Sequence, residues 1–238
     1  MIARVDQPPS HGIVQGMASR RPAAEVAKWH SATKLWLDHA LVSEKDLEWM
    51  AAAESLVLWN VRLPDGALGR LPNLLGLSIR GGSARDLSVV EGCSALICLD
   101  VNQVRGLHDL SALSHLRSLE FLSLYGLPRV KAIPSLRDHD RLVHVQLGSL
   151  KGLETIAGVA EAPHLGTLQL IRMVKLSDVD VDLLARHPTL RAFDWFWEDV
   201  PQRVALPVVD RLAHLERATA MSPADWLAER LATRGSRA

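Results

Sequence analysis

Hydrophobic residues recur along this chain in two alternating rhythms. The first is leucine, two variable positions, leucine, one variable position, leucine. It stands at Leu74/Leu77/Ile79, Leu96/Leu99/Val101, Leu119/Leu122/Leu124, Leu142/Val145/Leu147, Leu165/Leu168/Leu170 and Leu190/Phe193/Trp195. Weaker copies stand at Ala32/Leu35/Leu37, Ala53/Leu56/Leu58 and Leu215/Ala218/Ala220. Successive starts lie 21, 21, 22, 23, 23, 23, 25 and 25 residues apart, too even for nine chance matches. The second rhythm has a period of three, as in Val104, Leu107, Leu110, Leu113, Leu116 or Leu127, Val130, Ile133, Leu136. Period two predicts a short strand, and period three a tight returning limb of loop and 3-10 turns. No single repeat buries its own leucines, so neighbours must stack and share one continuous core.

This strand signature resembles that of the leucine-rich repeat family, L-x-x-L-x-L-x-x-N/C-x-L, over roughly residues 32–221. The resemblance implies an α/β fold: a right-handed horseshoe solenoid with a parallel concave sheet of about nine short strands. Its convex side would carry loops, 3-10 turns and short helices, and a helix would cap each end. The departure lies at the N/C position, occupied here by Val61, Gly82, Val104, Leu127, Leu150, Met173 and Glu198. Without an asparagine ladder, the backbone groups of that turn must find other partners.

Four segments follow. Residues 1–18, with Pro8, Pro9 and Ser10, read as a mobile tail. Residues 19–31 contain "RPAAEVAKWH" and predict an N-terminal capping helix with Val26 and Trp29 turned onto the first repeat. Residues 32–221 form the solenoid. Residues 222–238 predict a C-terminal capping helix and tail: Ser222 as N-cap, Pro223 at the first position, and Trp226, Leu227 and Leu231 on one face. In the 25-residue repeats, Asp178 to Pro188 predicts a helical turn.

Side chains alternate along a strand, so the variable positions of each motif point outward on the concave face. Counting the first leucine as one, position seven holds Asp38, Trp59, Arg80, Asn102, Tyr125, Gly148, Ile171 and Phe196. Position five holds Trp36, Val57, Ser78, Asp100, Ser123, Gln146, Gln169 and Asp194, and position three holds Lys34, Gly76, Cys98, Phe121 and His144. Of seven Trp, one Tyr and three Phe, six fall on outward positions: Trp36, Trp59, Phe121, Tyr125, Phe196 and Trp197. That concentration predicts an interaction face, because rigid aromatic rings supply much of the binding energy at interfaces. The expected contact set is Trp59, Arg80, Asp100, Asn102, Phe121, Tyr125, His144, Gln146, Gln169, Asp194, Phe196 and Trp197. The competing explanation is packing: rings stack on one another, Trp36 lies beneath the N-terminal segment, or "FDWFWED" slips by one residue and exchanges inside for outside.

Charge and chemistry narrow the partner. Lys plus Arg and Asp plus Glu both number 27, which argues against nucleic acid or an anionic membrane, where basic excess is needed. Cys93 and Cys98 fit neither a disulfide framework nor a zinc site, and no apolar run suits a signal peptide or a membrane span, so a cytoplasmic location is expected. No catalytic residue, metal or cofactor is expected. "RDHDR" (Arg137 to Arg141) falls on the returning limb and reads as a solvated charge run. Cys98 and His144 lie two strands apart with Phe121 between, too far for a nucleophile pair. Asp100 and Asp194 are farther still, and phosphate-loop, dinucleotide and zinc-protease motifs are absent. The family resemblance implies a non-enzymatic protein-binding module, with a cytosolic inhibitor, antitoxin or immunity-type protein as its concrete version. A scaffold that homodimerises through the aromatic face is the alternative.

Overall fold

The computed structural model describes residues 20–235; the tail expected over 1–18 lies outside them. Along the chain run β1 (Arg21–Pro22), α1 (Ala23–Val26), β2 (Lys28–Trp29), β3 (Lys34–Asp38), β4 (Ala40–Leu41), α2 (Asp46–Met50), β5 (Ser55–Trp59), β6 (Gly76–Arg80), β7 (Cys98–Asn102), β8 (Phe121–Tyr125) and β9 (His144–Leu150). There follow α3 (Ala157–Ala160), β10 (Thr167–Val174), α4 (Asp178–Ala185), β11 (Ala192–Phe196), α5 (Gln202–Arg211), β12 (Glu216–Arg217) and α6 (Pro223–Gly235).

Ten strands form one sheet in the order β12-β11-β10-β9-β8-β7-β6-β5-β3-β2. Every pair is parallel except the edge pair β2–β3. Each repeat stands in register with the next, so that Leu56, Leu77, Leu99 and Leu122 form one row and are all buried. The period-three leucines close the core from the other side: Leu107, Leu110, Leu113 and Leu116 are buried as well. Both rhythms therefore feed a single apolar interior, the leucine-rich repeat solenoid that the periodicity predicts.

The returning limbs are 3-10 turns at Leu68–Arg70, Ser88–Val90 and Ser111–His115, and short helices elsewhere. Helix α4 opens with a capping box between Ser177 and Asp180. Asp180 is fully buried and also accepts hydrogen bonds from Thr155 Oγ1 at 2.6 Å and Ile156 N at 3.0 Å, which ties two repeats together. Burial pushes its carboxyl up, but the bonds from Thr155, Ser177 and Ile156 outweigh this and hold it below the usual range.

Backbone bonds largely replace the missing asparagine ladder, with side chains helping at some turns, as Trp195 Nε1 does by donating to Arg172 O at 2.8 Å. The residue after position seven is left-handed in repeat after repeat: His39, Asn60, Gly81, Gln103, Gly126, Ser149 and Arg172. This turn aims each N–H along the sheet. His39, Asn60, Gly81, Gln103 and Gly126 donate to the position-seven carbonyls of Trp59, Arg80, Asn102, Tyr125 and Gly148, at 2.8 to 2.9 Å. The parallel ladder thus continues through the turn. On the returning limb, side chains bond the preceding repeat: Asn73 Nδ2 to Ala51 O at 2.9 Å and His139 Nε2 to Leu113 O at 3.0 Å. The expectation of a wholly solvated "RDHDR" run fails at its centre, where His139 is buried for this backbone bond.

Both ends differ from expectation. The N-terminal helix spans only Ala23–Val26, because the chain then extends into β2, which pairs antiparallel with β3. Trp29 sits on that edge strand, 41% exposed. The C-terminal helix forms as the capping signals require, with Asp225 N donating to Ser222 Oγ at 3.1 Å. It does not cap the last repeat, however: α6 folds back across the concave face and packs on β7 and β8 in the middle of the sheet.

Candidate protein interface

Strand register turns the outward positions into continuous rows. Position seven runs Asp38, Trp59, Arg80, Asn102, Tyr125, Gly148, Ile171, Phe196, each beside the next. These residues lie at the C-terminal ends of the strands, and the C-terminal segment leaves them open. Trp59 is 42% exposed; Arg80, Asn102, Tyr125, Ile171 and Phe196 are half-buried. The Tyr125 ring lies across Gly148, where a Cβ would collide with it.

From Ser78 to Asp194, row five is polar and largely hydrogen-bonded, buried at Asp100, Ser123, Gln146 and Gln169 and half-buried at its two ends. Ser78 Oγ donates to Asp100 Oδ2 at 2.7 Å, Arg80 Nε to Ser78 Oγ at 2.9 Å, and Arg80 Nη2 approaches Asp100 Oδ2 at 3.4 Å. Farther along, Gln146 Nε2 donates to Met221 O at 2.6 Å and Gln169 Nε2 to Thr219 O at 2.7 Å. Two glutamines on adjacent strands therefore fasten the main chain that leads into α6. Asp194 accepts from Arg217 Nε at 2.9 Å.

Row three and the position before it form an apolar bed. Ile97, Cys98 and Phe121 project outward from β7, β8 and the residue preceding β7, and they cluster with Leu227 apart from the main core. The Leu227 side chain fills the space above Gly76 that any Cβ there would claim. Trp226 packs on Phe121 with ring centroids 5.3 Å apart, and Phe121 stacks on His144 at 4.3 Å. Glu120 is buried at the edge of this bed, and Arg230 Nη2 and Arg234 Nη2 reach its two carboxylate oxygens at 2.6 and 3.4 Å.

These contacts correct five expected positions. Phe121 is fully buried beneath α6 rather than displayed. His144, Gln146 and Gln169 are buried by the C-terminal segment, and Asp100 by its bonds with Ser78 and Arg80. Asp194 and Trp197 are half-buried, the first paired with Arg217 and the second packed on the core. Trp36 lies beside the N-terminal segment, its ring 5.7 Å from His30 and its backbone paired with Lys28, as the packing alternative has it. Trp59, Arg80, Asn102, Tyr125 and Phe196 remain as an open strip.

Acid–base chemistry finds little footing. Burial, with the nearby Asp100 charge, pushes the Cys98 thiol far up, and burial pushes Cys93 up to about 11. Burial also holds His144 below its ordinary value, against the opposing bond to Gln169. Phe121 stands between Cys98 and His144. Among the described residues no group of three or more His, Cys, Asp or Glu is arranged to hold a metal, and no helix is long and apolar enough to cross a membrane.

Sequence reasoning missed Gly76, Ile97 and Glu120. The available signal was an apolar pair at outward positions, Cys98 and Phe121, matching in character the apolar face already assigned to α6.

No family model matches the chain, and no curated protein does. Solved structures do match it in fold. An internalin C2 from Listeria monocytogenes is 20% identical over 78% of this chain and 80% of its own, with a TM-score of 0.51. A second internalin of that organism is 14% identical over 78% of this chain and 73% of its own, with a TM-score of 0.31. At such identity the likeness to internalin C2 speaks for architecture alone, and the chain is similar to it as one leucine-rich repeat solenoid is to another.

Proposed function

We propose that this chain is a non-enzymatic protein-binding module whose partner docks on the open strip at the C-terminal ends of the strands. The observation that carries the reading is the unbroken row Trp59, Arg80, Asn102, Tyr125, exposed at Trp59 and half-buried at the other three, beside a row of the same sheet that the C-terminal segment covers. Trp59 and Tyr125 stand three strands apart, roughly 14 Å at the usual strand spacing. Between them Arg80, held by Ser78 and Asp100, offers a fixed guanidinium. Aromatic anchors flanking a pre-oriented arginine are the composition of an interface hot spot. Balanced charge over the whole chain favours a protein over a phosphate backbone. Within this class, the concrete version is a cytosolic inhibitor of an enzyme or toxin, supported by fold analogy alone.

The test is affinity capture from source-cell lysate with wild type and the Trp59→Ala/Tyr125→Ala variant side by side. The reading expects a protein retained by wild type and lost by the variant, with thermal stability unchanged within about 1 kcal/mol. Equal capture by both chains removes the strip from the interface. A doubled mass for wild type alone, with nothing else captured, moves the role to homodimerisation.

A further inference from the structure

The geometry points to a second recognition site: the bed beneath α6 binds an amphipathic helix of a partner protein, and α6 is the copy of that ligand held in cis. The bed serves no purpose in the solenoid's own core. Ile97, Cys98 and Phe121 turn away from the main cluster and form a separate one, completed by Leu227 with Trp226 and Leu231 packed against it. Its features are those of a receptor for a helix. Gly76 leaves a notch that takes one leucine; Phe121 offers a face for the aromatic ring one residue before it; Glu120 takes two arginines one turn apart. Gln146 and Gln169 bind main-chain carbonyls of the lead-in segment, contacts that any extended peptide supplies. The ligand chemistry is therefore an extended stretch, a helix N-cap, an aromatic–leucine pair, and arginines four and eight residues after the aromatic.

The helix in place leaves most of its surface open to solvent. Among its described side chains only Leu227 is buried; Trp226 and Leu231 are half-buried, and both arginines are more than 40% exposed. Ion pairs open to solvent on one side add little to its hold. An isolated helix of this length is itself marginal in water. A partner helix with the same anchors can thus compete, limited by the high effective concentration of a tethered rival. The bed lies at the N-terminal ends of the strands and the open strip at their C-terminal ends, so neither site requires the other.

The probe is a fluorescein-labelled peptide of residues 219–235, titrated into the full chain by fluorescence anisotropy. Two variants release α6: Leu227→Glu, which expels the anchor, and Arg230→Glu/Arg234→Glu, which turns the ion pairs into repulsion without touching the bed. Saturable one-to-one binding is expected at least tenfold tighter to a released chain than to wild type. It should vanish when the peptide carries Leu227→Glu, or when the released chain also carries Gly76→Leu. If Leu227→Glu unfolds the chain, the arginine variant carries the assay; loss of folding in both makes α6 an integral part of the fold and overturns the proposal. No binding to a folded, released chain overturns it equally. A released arginine variant that sediments at twice the monomer mass and ignores the peptide assigns the bed to a second copy instead.

Discussion

The side chain of Leu227 occupies the volume that a Cβ on Gly76 would need, although Gly76 belongs to the third repeat and Leu227 follows the last. A glycine inside a strand normally weakens it, by roughly 0.5–1 kcal/mol relative to alanine. Here the loss makes room for the one buried anchor of α6. Gly76→Val should therefore split two properties that usually move together. The β-branched residue suits the strand, so the thermal midpoint of the solenoid holds or rises. The helix loses its seat, so amide exchange across residues 224–235 accelerates. Parallel loss of both would mean that α6 and the sheet fold as one unit.

Glu120 is buried while the two arginines that pair with it are not. Glu120→Gln removes the charge and keeps the shape, so it should loosen the C-terminal half of α6 by no more than about 1 kcal/mol. The effect should be largest at low ionic strength and fade near molar salt, where screening already weakens the wild-type pairs. Hydrogen exchange of residues 228–235 at two salt concentrations measures this. A difference that persists unchanged in high salt would assign the contact to packing of the arginine stems.

The solenoid is legible in the sequence because its signal is redundant: each leucine row is written nine times, and register follows from repetition. The ends carry no such redundancy. The apolar face of α6, Trp226, Leu227 and Leu231, is readable from helical spacing, but its destination depends on a notch made by one missing side chain at Gly76. Position two of the motif carries no fixed residue type, so Ile97 and Glu120 do not stand out. Alternation along the strands does turn Phe121, Gln146 and Gln169 outward; what covers an outward residue is a tertiary fact, and the strand pattern is silent on it. The missing asparagine ladder is legible as an absence. Its replacement by left-handed residues is partly hidden, because Gln103, Ser149 and Arg172 are not residues that advertise positive φ.

Acidification should release the C-terminal segment before it unfolds the solenoid. His144 is buried against Phe121 and donates Nε2–H to Gln169 Oε1 at 3.0 Å, while Gln169 in turn holds Thr219. Burial keeps its folded pKa below 6.5 despite the Gln169 bond, so the folded protein prefers the neutral ring. That contribution is fully present above the unfolded value of about 6.5 and is lost as pH falls from there through the folded value. Its slope cannot exceed about 1.4 kcal/mol per pH unit. His187, also depressed by burial, titrates in the same direction, so thermal melts report both groups. Exchange of α6 amides, corrected for intrinsic rates, isolates His144. Protection should fall as pH drops from about 7.5 through the unfolded value and below it, and His144→Gln should flatten that fall. An unchanged pH profile in the variant would place the titrating group elsewhere.

The left-handed row offers a sharper test of the backbone. Gln103 is exposed and adopts φ 54°, a conformation that costs a residue with a Cβ roughly 1–2 kcal/mol. Gln103→Gly removes that strain at the expense of a more flexible unfolded chain, for a net gain of roughly 0.5–1 kcal/mol. Gly126, one repeat on, has φ 68°, and a Cβ there would stand 2.8 Å from Gln103 Cγ. Gly126→Ala should then cost more than the backbone term alone, because it strains the turn and strikes the neighbouring side chain. In the double variant Gln103→Gly/Gly126→Ala the collision is gone, and only the backbone strain of the second substitution remains. Chemical denaturation of the four chains should give a favourable coupling between the two sites, on the order of 0.5 kcal/mol or more. Strict additivity would show that Gln103 swings aside freely, and that the turn is governed by φ alone.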